Sequence, residues 1–149
     1  MFGSDLDKFL AKNKKAKIVF TNGCFDILHR GHVEYLNEAK SLGTVLIVGL
    51  NSDASVRKLK GPQRPINSEF DRKLVLENLR SVDFVQIFDE DTPYELIKHI
   101  QPDVLVKGGD WSADKIVGSD LVLAKGGQVK SLKFVDGFST TNIINKVKD

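Results

Sequence analysis

The segment Thr44 to Leu50 is apolar at nearly every position. A half-exposed strand alternates, so an unbroken apolar run of this length suits a strand covered on both faces, which requires helices on either side of a parallel sheet. The rest of the chain keeps to that frame, because strand and helix patterns alternate along it. Ser4 is placed to cap a short helix carrying Leu6, Phe9 and Leu10. Strand one is Lys17 to Asn22, and a helix from Val33 to Leu42 follows, with Val33, Leu36 and Ala39 on one face and Gly43 suited to its end. Thr44 to Leu50 is strand two. Ser68, with Asp71 three residues on, opens a helix to about Arg80 that carries Leu74, Val75, Leu76 and Leu79. Strand three is Asp83 to Phe88. Thr92-Pro93 is a cap followed by proline at the first helical position, so Pro93 to Ile100 reads as helix. Asp103 to Val106 is strand four. A helix or turn lies between Ser112 and Lys125, ended by Gly126-Gly127, and Gln128 to Phe134 is strand five. Ser139 caps a last helix with Ile143, Ile144 and Val147.

These patterns predict an α/β chain with a Rossmann-like, doubly wound, five-stranded parallel sheet in the order 3-2-1-4-5, strand one central. Ligands of such sheets bind beyond the carboxyl ends of the strands, near the reversal of strand order. That would bring Asn22-Gly23 close to Lys107-Gly108-Gly109-Asp110. The polar stretch Asn51 to Asn67, with Gly61, Pro62 and Pro65, reads as a long loop, and long loops in compact domains are often functional.

At 149 residues the chain is expected to be one domain, 1–149, with residues 1–16 as an N-terminal helical extension. A net charge of +2 gives no field that marks a nucleic-acid or membrane binder. Lys12, Lys14, Lys15 and Lys17 read as a solvated helix end, and the outer faces show no obvious apolar stripe. A single cysteine excludes an internal disulfide and a cysteine-based metal site. Nothing resembles a signal peptide, and Val45 to Leu50 is far too short to cross a bilayer, so a cytoplasmic setting is expected.

Two of the three histidines stand in His29-Arg30-Gly31-His32, at the turn from strand one into the next helix. Backbone N–H groups and the helix dipole favour an anion there, and two imidazoles three residues apart can place two donors beside one phosphate. Phosphoryl and nucleotidyl transfer demand that kind of charge stabilisation more than covalent chemistry. A zinc site is the bland alternative, but the spacing is i, i+3 rather than i, i+4. His99 reads as a surface or helix-end residue. There is no G-x-G-x-x-G after strand one and no G-x-x-x-x-G-K-[ST], which weighs against a dinucleotide oxidoreductase and a P-loop kinase.

The segment Asn22-Gly23-Cys24-Phe25-Asp26-x-Leu28-His29-x-Gly31-His32 resembles the signature of the HxGH nucleotidyltransferase superfamily, and Ser139-Thr140-Thr141 at a helix start resembles its second signature. Within that superfamily, further motifs look like the adenylyltransferase domain of bacterial ADP-heptose synthesis. They are Leu50 to Val56, Lys58-Leu59-Lys60-Gly61, Arg64-Pro65, Glu90-Asp91-Thr92-Pro93, Lys107 to Asp110, and Asp136-Gly137-x-Ser139 to Ile144. The resemblance runs from about Lys17 to Val147. It implies transfer of AMP from ATP to D-glycero-β-D-manno-heptose 1-phosphate, with Mg²⁺ arriving on ATP and no protein-built metal site. It further implies a homodimer, and a sugar kinase in the same pathway, expected here as a separate polypeptide.

Carried over by position, the resemblance makes His29, His32 and Lys60 the catalytic groups. Asn22, Gly23, Cys24 and Phe25 would line the nucleotide and phosphate pocket, and Gly31 would let the helix approach the phosphates. Arg72 would help hold the acceptor or triphosphate. Lys107, Gly108, Gly109 and Asp110 would lie beside base and ribose, with Trp111 either on the nucleotide or covering the sheet end. Ser139 and Thr140 would offer a hydroxyl and amides to the β- or γ-phosphate. Cys24 needs no redox role. Related polyol-phosphate cytidylyltransferases usually carry an arginine shortly before Ser-Thr-Thr. Phe134 stands there, which favours the heptose type over the alternative of a CDP-polyol enzyme. A nucleotide-binding regulatory module without turnover would not need the His29/His32 pair.

Overall fold

The computed structural model describes residues 2–134 and 137–148. Val135 and Asp136, in the stretch before Ser139, lie outside the described residues. Five parallel strands form one sheet: β1 (Ile18–Gly23), β2 (Val45–Asn51), β3 (Phe84–Phe88), β4 (Val104–Gly108) and β5 (Gln128–Leu132), in the order β3-β2-β1-β4-β5. The expected topology is the observed one. Among the described residues, seven α-helices flank the sheet: α1 (Ser4–Lys12), α2 (Arg30–Ser41), α3 (Asp53–Lys60), α4 (Glu69–Glu77), α5 (Tyr94–Ile100), α6 (Ser119–Ala124) and α7 (Thr140–Val147).

All seven residues of β2 are buried, as its apolar run requires. Alternate side chains feed two cores. Val19, Leu46 and Val48 meet Leu36, Ala39 and Leu76 on one face; Ile18, Phe20 and Ile47 meet Leu6, Leu96 and Ile97 on the other. Gly49 faces the second core, where a Cβ would stand 2.8 Å from the Phe20 ring, so the missing side chain gives that ring its space.

Several local expectations change. Residues Asn51 to Asn67 are not one loop: Ser52 accepts from the Ser55 N–H and starts α3, leaving only residues 61–67 irregular before the Ser68 cap of α4. Gly3, not Ser4, precedes α1, with no side-chain cap. The buried face of α2 runs through Tyr35, Leu36 and Ala39, and Val33 is outside. On α4, Leu76 is buried while Phe70 and Leu74, four residues apart, are exposed, so an outer apolar stripe does exist. Gly43 follows α2 with an ordinary φ. A Cβ there would lie 2.6 Å from the Lys17 carbonyl oxygen, so close approach to β1 demands the glycine, not a left-handed cap. Among the described residues, no helix is long and apolar enough to cross a membrane.

Candidate active site

A cleft of about 450 Å³ opens where β1 parts from β4, at the carboxyl ends of the strands. The ends of β1, β2 and β4 supply Asn22, Gly23, Asn51, Lys107 and Gly108 to its wall. Cys24, Phe25, Asp26 and His32 come from the β1–α2 turn and the start of α2, Lys60 from the last residue of α3, and Thr140 from the first turn of α7. Nine of the fifteen expected site residues therefore share this wall: Asn22, Gly23, Cys24, Phe25, His32, Lys60, Lys107, Gly108 and Thr140. His29, Gly31, Gly109, Asp110 and Ser139 flank it in sequence without lining it, and Arg72 stands apart.

The α2 N-terminus is capped by its two histidines. His29 is the extended N-cap residue, and its Nδ1 accepts from the Gly31 N–H at 3.1 Å. His32 Nδ1 accepts in return from the His29 N–H at 3.4 Å. The rings stack, centroids 3.9 Å apart. A neutral imidazole carries one N–H, so an accepting Nδ1 puts the proton on Nε2 of both rings. Burial, followed by His29 and Lys60, pushes the His32 pKa down to about 4, and burial lowers that of His29. At neutral pH the pair is two uncharged Nε2–H donors at a helix N-terminus. Gly31 is required by the pair itself: a Cβ there would fall 2.9 Å from the His29 ring. That reason holds with or without a phosphate in the cleft.

Arg72, expected to help hold the acceptor or triphosphate, braces the fold. It is 2% exposed. It donates to the carbonyls of Asn67 (3.0 Å), Cys24 (2.7 Å) and Asn51 (2.9 Å), and to Asp53 (2.8 Å). Four of its five N–H groups are thus spent inside the fold. The hydroxyls of Ser139 and Thr140 are also engaged. Ser139 caps α7 by accepting from the Asn142 N–H, and Thr140 donates to the Asp26 carbonyl at 2.5 Å. What α7 offers an anion is the N–H groups of Thr140 and Thr141, which no helix carbonyl satisfies. Lys60 closes α3 instead of riding a loop.

At the β4 end, Lys107 Nζ lies 4.6 Å from the centroid of the Trp111 ring, which is outside the cleft wall. Phe134 does line the cleft, although 61% exposed. It covers Gly108 so closely that a Cβ there would be 2.5 Å from its ring. Burial pushes the Tyr35 hydroxyl up to about 12, so this wall residue, bonded to Thr21 at 2.7 Å, stays neutral. Burial also raises the Cys24 thiol, partly offset by Lys60, Arg72 and Arg64.

Among the wall residues given no role from the sequence are Asp26, Tyr35 and Arg64. Asp26 is 2% exposed. Its Oδ2 accepts from the Ile66 N–H (2.7 Å) and from Arg64 Nε (3.4 Å), and its Oδ1 from the Asn67 N–H (3.0 Å). The available signal was a lone carboxylate inside the apolar string Cys24-Phe25-Asp26-Ile27-Leu28, since a buried charge must be paired. Among the described residues, no group of three or more His, Cys, Asp or Glu side chains is placed to hold a metal ion.

Neutral donors, a helix terminus and nearby lysines suit a reaction in which charge shifts among phosphate oxygens, and such equipment on a doubly wound sheet defines a nucleotidyltransferase. Comparison with known proteins gives the same class. Residues 20–146 match the family described as Cytidylyltransferase-like, and the chain belongs to it. It is 60% identical over 137 residues to the Bifunctional protein HldE of Wolinella succinogenes, covering 92% of this chain and 28% of that one. It is 57% identical over 145 residues to the protein of that name from Campylobacter concisus, covering 97% and 30%. The chain thus spans less than a third of the length of these curated relatives. Among solved structures, a lipopolysaccharide core biosynthesis protein from Thermoplasma volcanium superposes with a TM-score of 0.63 at 30% identity, covering 80% of this chain and 97% of that one. Pantothenate synthetase from Thermus thermophilus shares the fold, with a TM-score of 0.59 at 16% identity over 93% of this chain and 65% of that one.

Proposed function

We propose that this enzyme transfers AMP from ATP to D-glycero-β-D-manno-heptose 1-phosphate, releasing pyrophosphate and forming ADP-heptose. The observation that carries the reading is the fixed tautomer of His29 and His32. A phosphate oxygen of the acceptor bonds to the α-phosphorus as the bond from that phosphorus to the β-phosphate bridging oxygen breaks. A phosphate dianion has no proton to surrender, so the step needs no general base. It needs donors aimed at the oxygens on which charge grows, and two neutral Nε2–H groups supply them without a buried cation. Lys60, at the cleft wall, adds positive charge beside the triphosphate. The raised Cys24 thiol is protonated and a poor nucleophile, which supports direct displacement without a covalent enzyme intermediate.

Mg²⁺ fits as a companion of ATP. The Asp26 carboxylate is committed to Ile66, Asn67 and Arg64, and Asp91 is exposed beside Lys58. The triphosphate oxygens would therefore hold the ion, which neutralises part of their charge when bound. Lys60 and the α2 N-terminus would orient the same phosphates.

The heptose assignment is supported by the ordered motifs and by the similarity to HldE proteins. Phe134, standing where polyol-phosphate cytidylyltransferases usually carry an arginine, supports the heptose type over a CDP-polyol enzyme. The second reading, a CDP-polyol enzyme, is favoured by the name of the matching family. We place the reaction in the cytoplasm, where ATP is available, with the acceptor supplied by a sugar kinase. Pyrophosphate release, measured for a panel of sugar and polyol phosphates against the four nucleoside triphosphates, tests the assignment. ATP with the heptose 1-phosphate should give the highest kcat/KM. Preference for CTP with a polyol phosphate refutes it, and an adenylylated protein trapped after ATP alone refutes direct displacement.

A further inference from the structure

We propose that Arg64 grips the acceptor's phosphate, as a fork aimed into the cleft by Asp26; this rests on the nucleotidyl-transfer reading above. The two arginines near the site are built in opposite ways. Arg72 spends four N–H groups on the fold. Arg64 lines the cleft and spends only its Nε–H on a side-chain partner, Asp26 at 3.4 Å; among the described residues its two terminal NH₂ groups have no protein acceptor. Its side chain is only 15% exposed, so the guanidinium lies along the cleft wall and not out in solvent.

Asp26 determines that direction. Its side chain is 1% exposed, and the two N–H groups it accepts belong to Ile66 and Asn67, just beyond Arg64 in the same loop. One carboxylate thus fixes both the loop backbone and the inner edge of the guanidinium. The outer edge, the NH1/NH2 pair, is the geometry that engages two phosphate oxygens at once. Two anions must meet in this cleft. The N-termini of α2 and α7, Lys60 and Lys107 are the groups read above as holding ATP, which leaves the Arg64 fork on the same wall for the acceptor. Holding two oxygens of the acceptor phosphate leaves the third to attack the α-phosphorus. Asp26, which acts through Arg64, is a positioning residue.

The test compares wild type with Arg64→Gln, Arg64→Lys and Asp26→Asn, each first checked for native circular dichroism and melting. Binding of the sugar and polyol phosphates is measured by calorimetry on protein loaded with α,β-methylene-ATP, and KM for both substrates wherever turnover is found. Losing a charged bidentate contact should raise the acceptor Kd and KM roughly 10- to 100-fold in Arg64→Gln. The ATP-analogue Kd should stay within about twofold, since those contacts lie elsewhere. Arg64→Lys, a point charge in place of a fork, should recover only part of the loss. Asp26→Asn should raise acceptor KM more than it lowers kcat. Weakened ATP binding in Arg64→Gln, or acceptor affinity unchanged, overturns the proposal; so does failure of the wild type to bind any phosphate in the panel. If the acceptor proves to be a polyol phosphate, and Arg64→Gln weakens that compound, the heptose reading fails and the grip stands.

Discussion

His32 links the acid stability of the fold to the state of the proposed catalytic donors. Its pKa falls from 6.5 to about 4 on folding, with burial the largest cause. The unfolded chain therefore takes up the proton first, and the stability from a neutral His32 is complete above 6.5 and lost as pH falls through the window from 6.5 to about 4. Linkage puts the loss between pH 7 and pH 5 at about 2 kcal/mol, a fall of roughly 4–8 °C in Tm for a chain of this size. The perturbation is His32→Asn. Asparagine Oδ1 can accept the His29 N–H in place of Nδ1, so the cap is kept, but it does not titrate and has no group at the Nε2 position. Carboxylates titrate alike in both proteins and cancel in the difference. Scanning calorimetry at pH 7 and pH 5 should show the wild-type Tm falling further than the variant's by roughly that amount. At pH 7 the variant should lose about 10²–10³ in kcat with little change in ATP binding, because the missing donor acts chiefly in the transition state. Long-range proton–nitrogen spectra of the imidazoles should report the Nε2–H tautomer for both rings. Parallel melting curves, or an Nδ1–H tautomer, would falsify the neutral-donor account.

Arg72→Met should destabilise the chain by about 3–5 kcal/mol in urea unfolding, because Asp53 loses its buried partner and three carbonyls lose a donor; a loss seen only in substrate KM would restore Arg72 to the ligand set. Gly108→Ala should push Phe134 off the cleft wall and raise ATP KM several-fold at near-normal kcat; unchanged ATP KM would remove Phe134 from the nucleotide pocket. The homodimer expected from the resemblance is read by light scattering at micromolar protein, where a monomer mass would refute it.

The sheet was legible because its strands carry the signal physics writes most plainly: apolar runs bounded by glycine, proline and caps. Helix α3 was not, because of its eight residues only Ser55 and Val56 are buried and Leu59 is largely exposed, which leaves no apolar face to read. The Ser52 cap was present in the sequence, but without periodicity behind it a serine is ambiguous. The histidine pair was legible at the start of a helix, whereas its tautomer was not, since that is set by two backbone N–H groups. The bracing role of Arg72 and the place of Arg64 on the cleft wall were hidden for the same reason. Three of the four partners of Arg72 are backbone carbonyls, which every residue has, so nothing in the sequence distinguishes an arginine that braces the fold from one that faces the cleft.

The β1–α2 turn explains why these pieces are built together. Phe25 and Ile27 adopt left-handed backbone, at φ 46° and 54°, which is unfavourable for side chains of this size and more so for a β-branched one. Such residues cost about 1–3 kcal/mol each and persist only where their surroundings over-determine them. Here they are held from three directions: Arg72 of α4 grips the Cys24 carbonyl, the 61–67 loop grips the Asp26 carboxylate, and Thr140 of α7 grips the Asp26 carbonyl. The turn in that shape delivers His29 as an extended cap with its ring stacked on His32. The strain is therefore stored where the donors are set, and they need not reorganise when charge develops on the phosphates, the condition under which hydrogen-bond donors contribute most to rate. Because the contacts that brace the turn also aim Arg64, the donors and the proposed acceptor grip are positioned by the same buried carboxylate, Asp26.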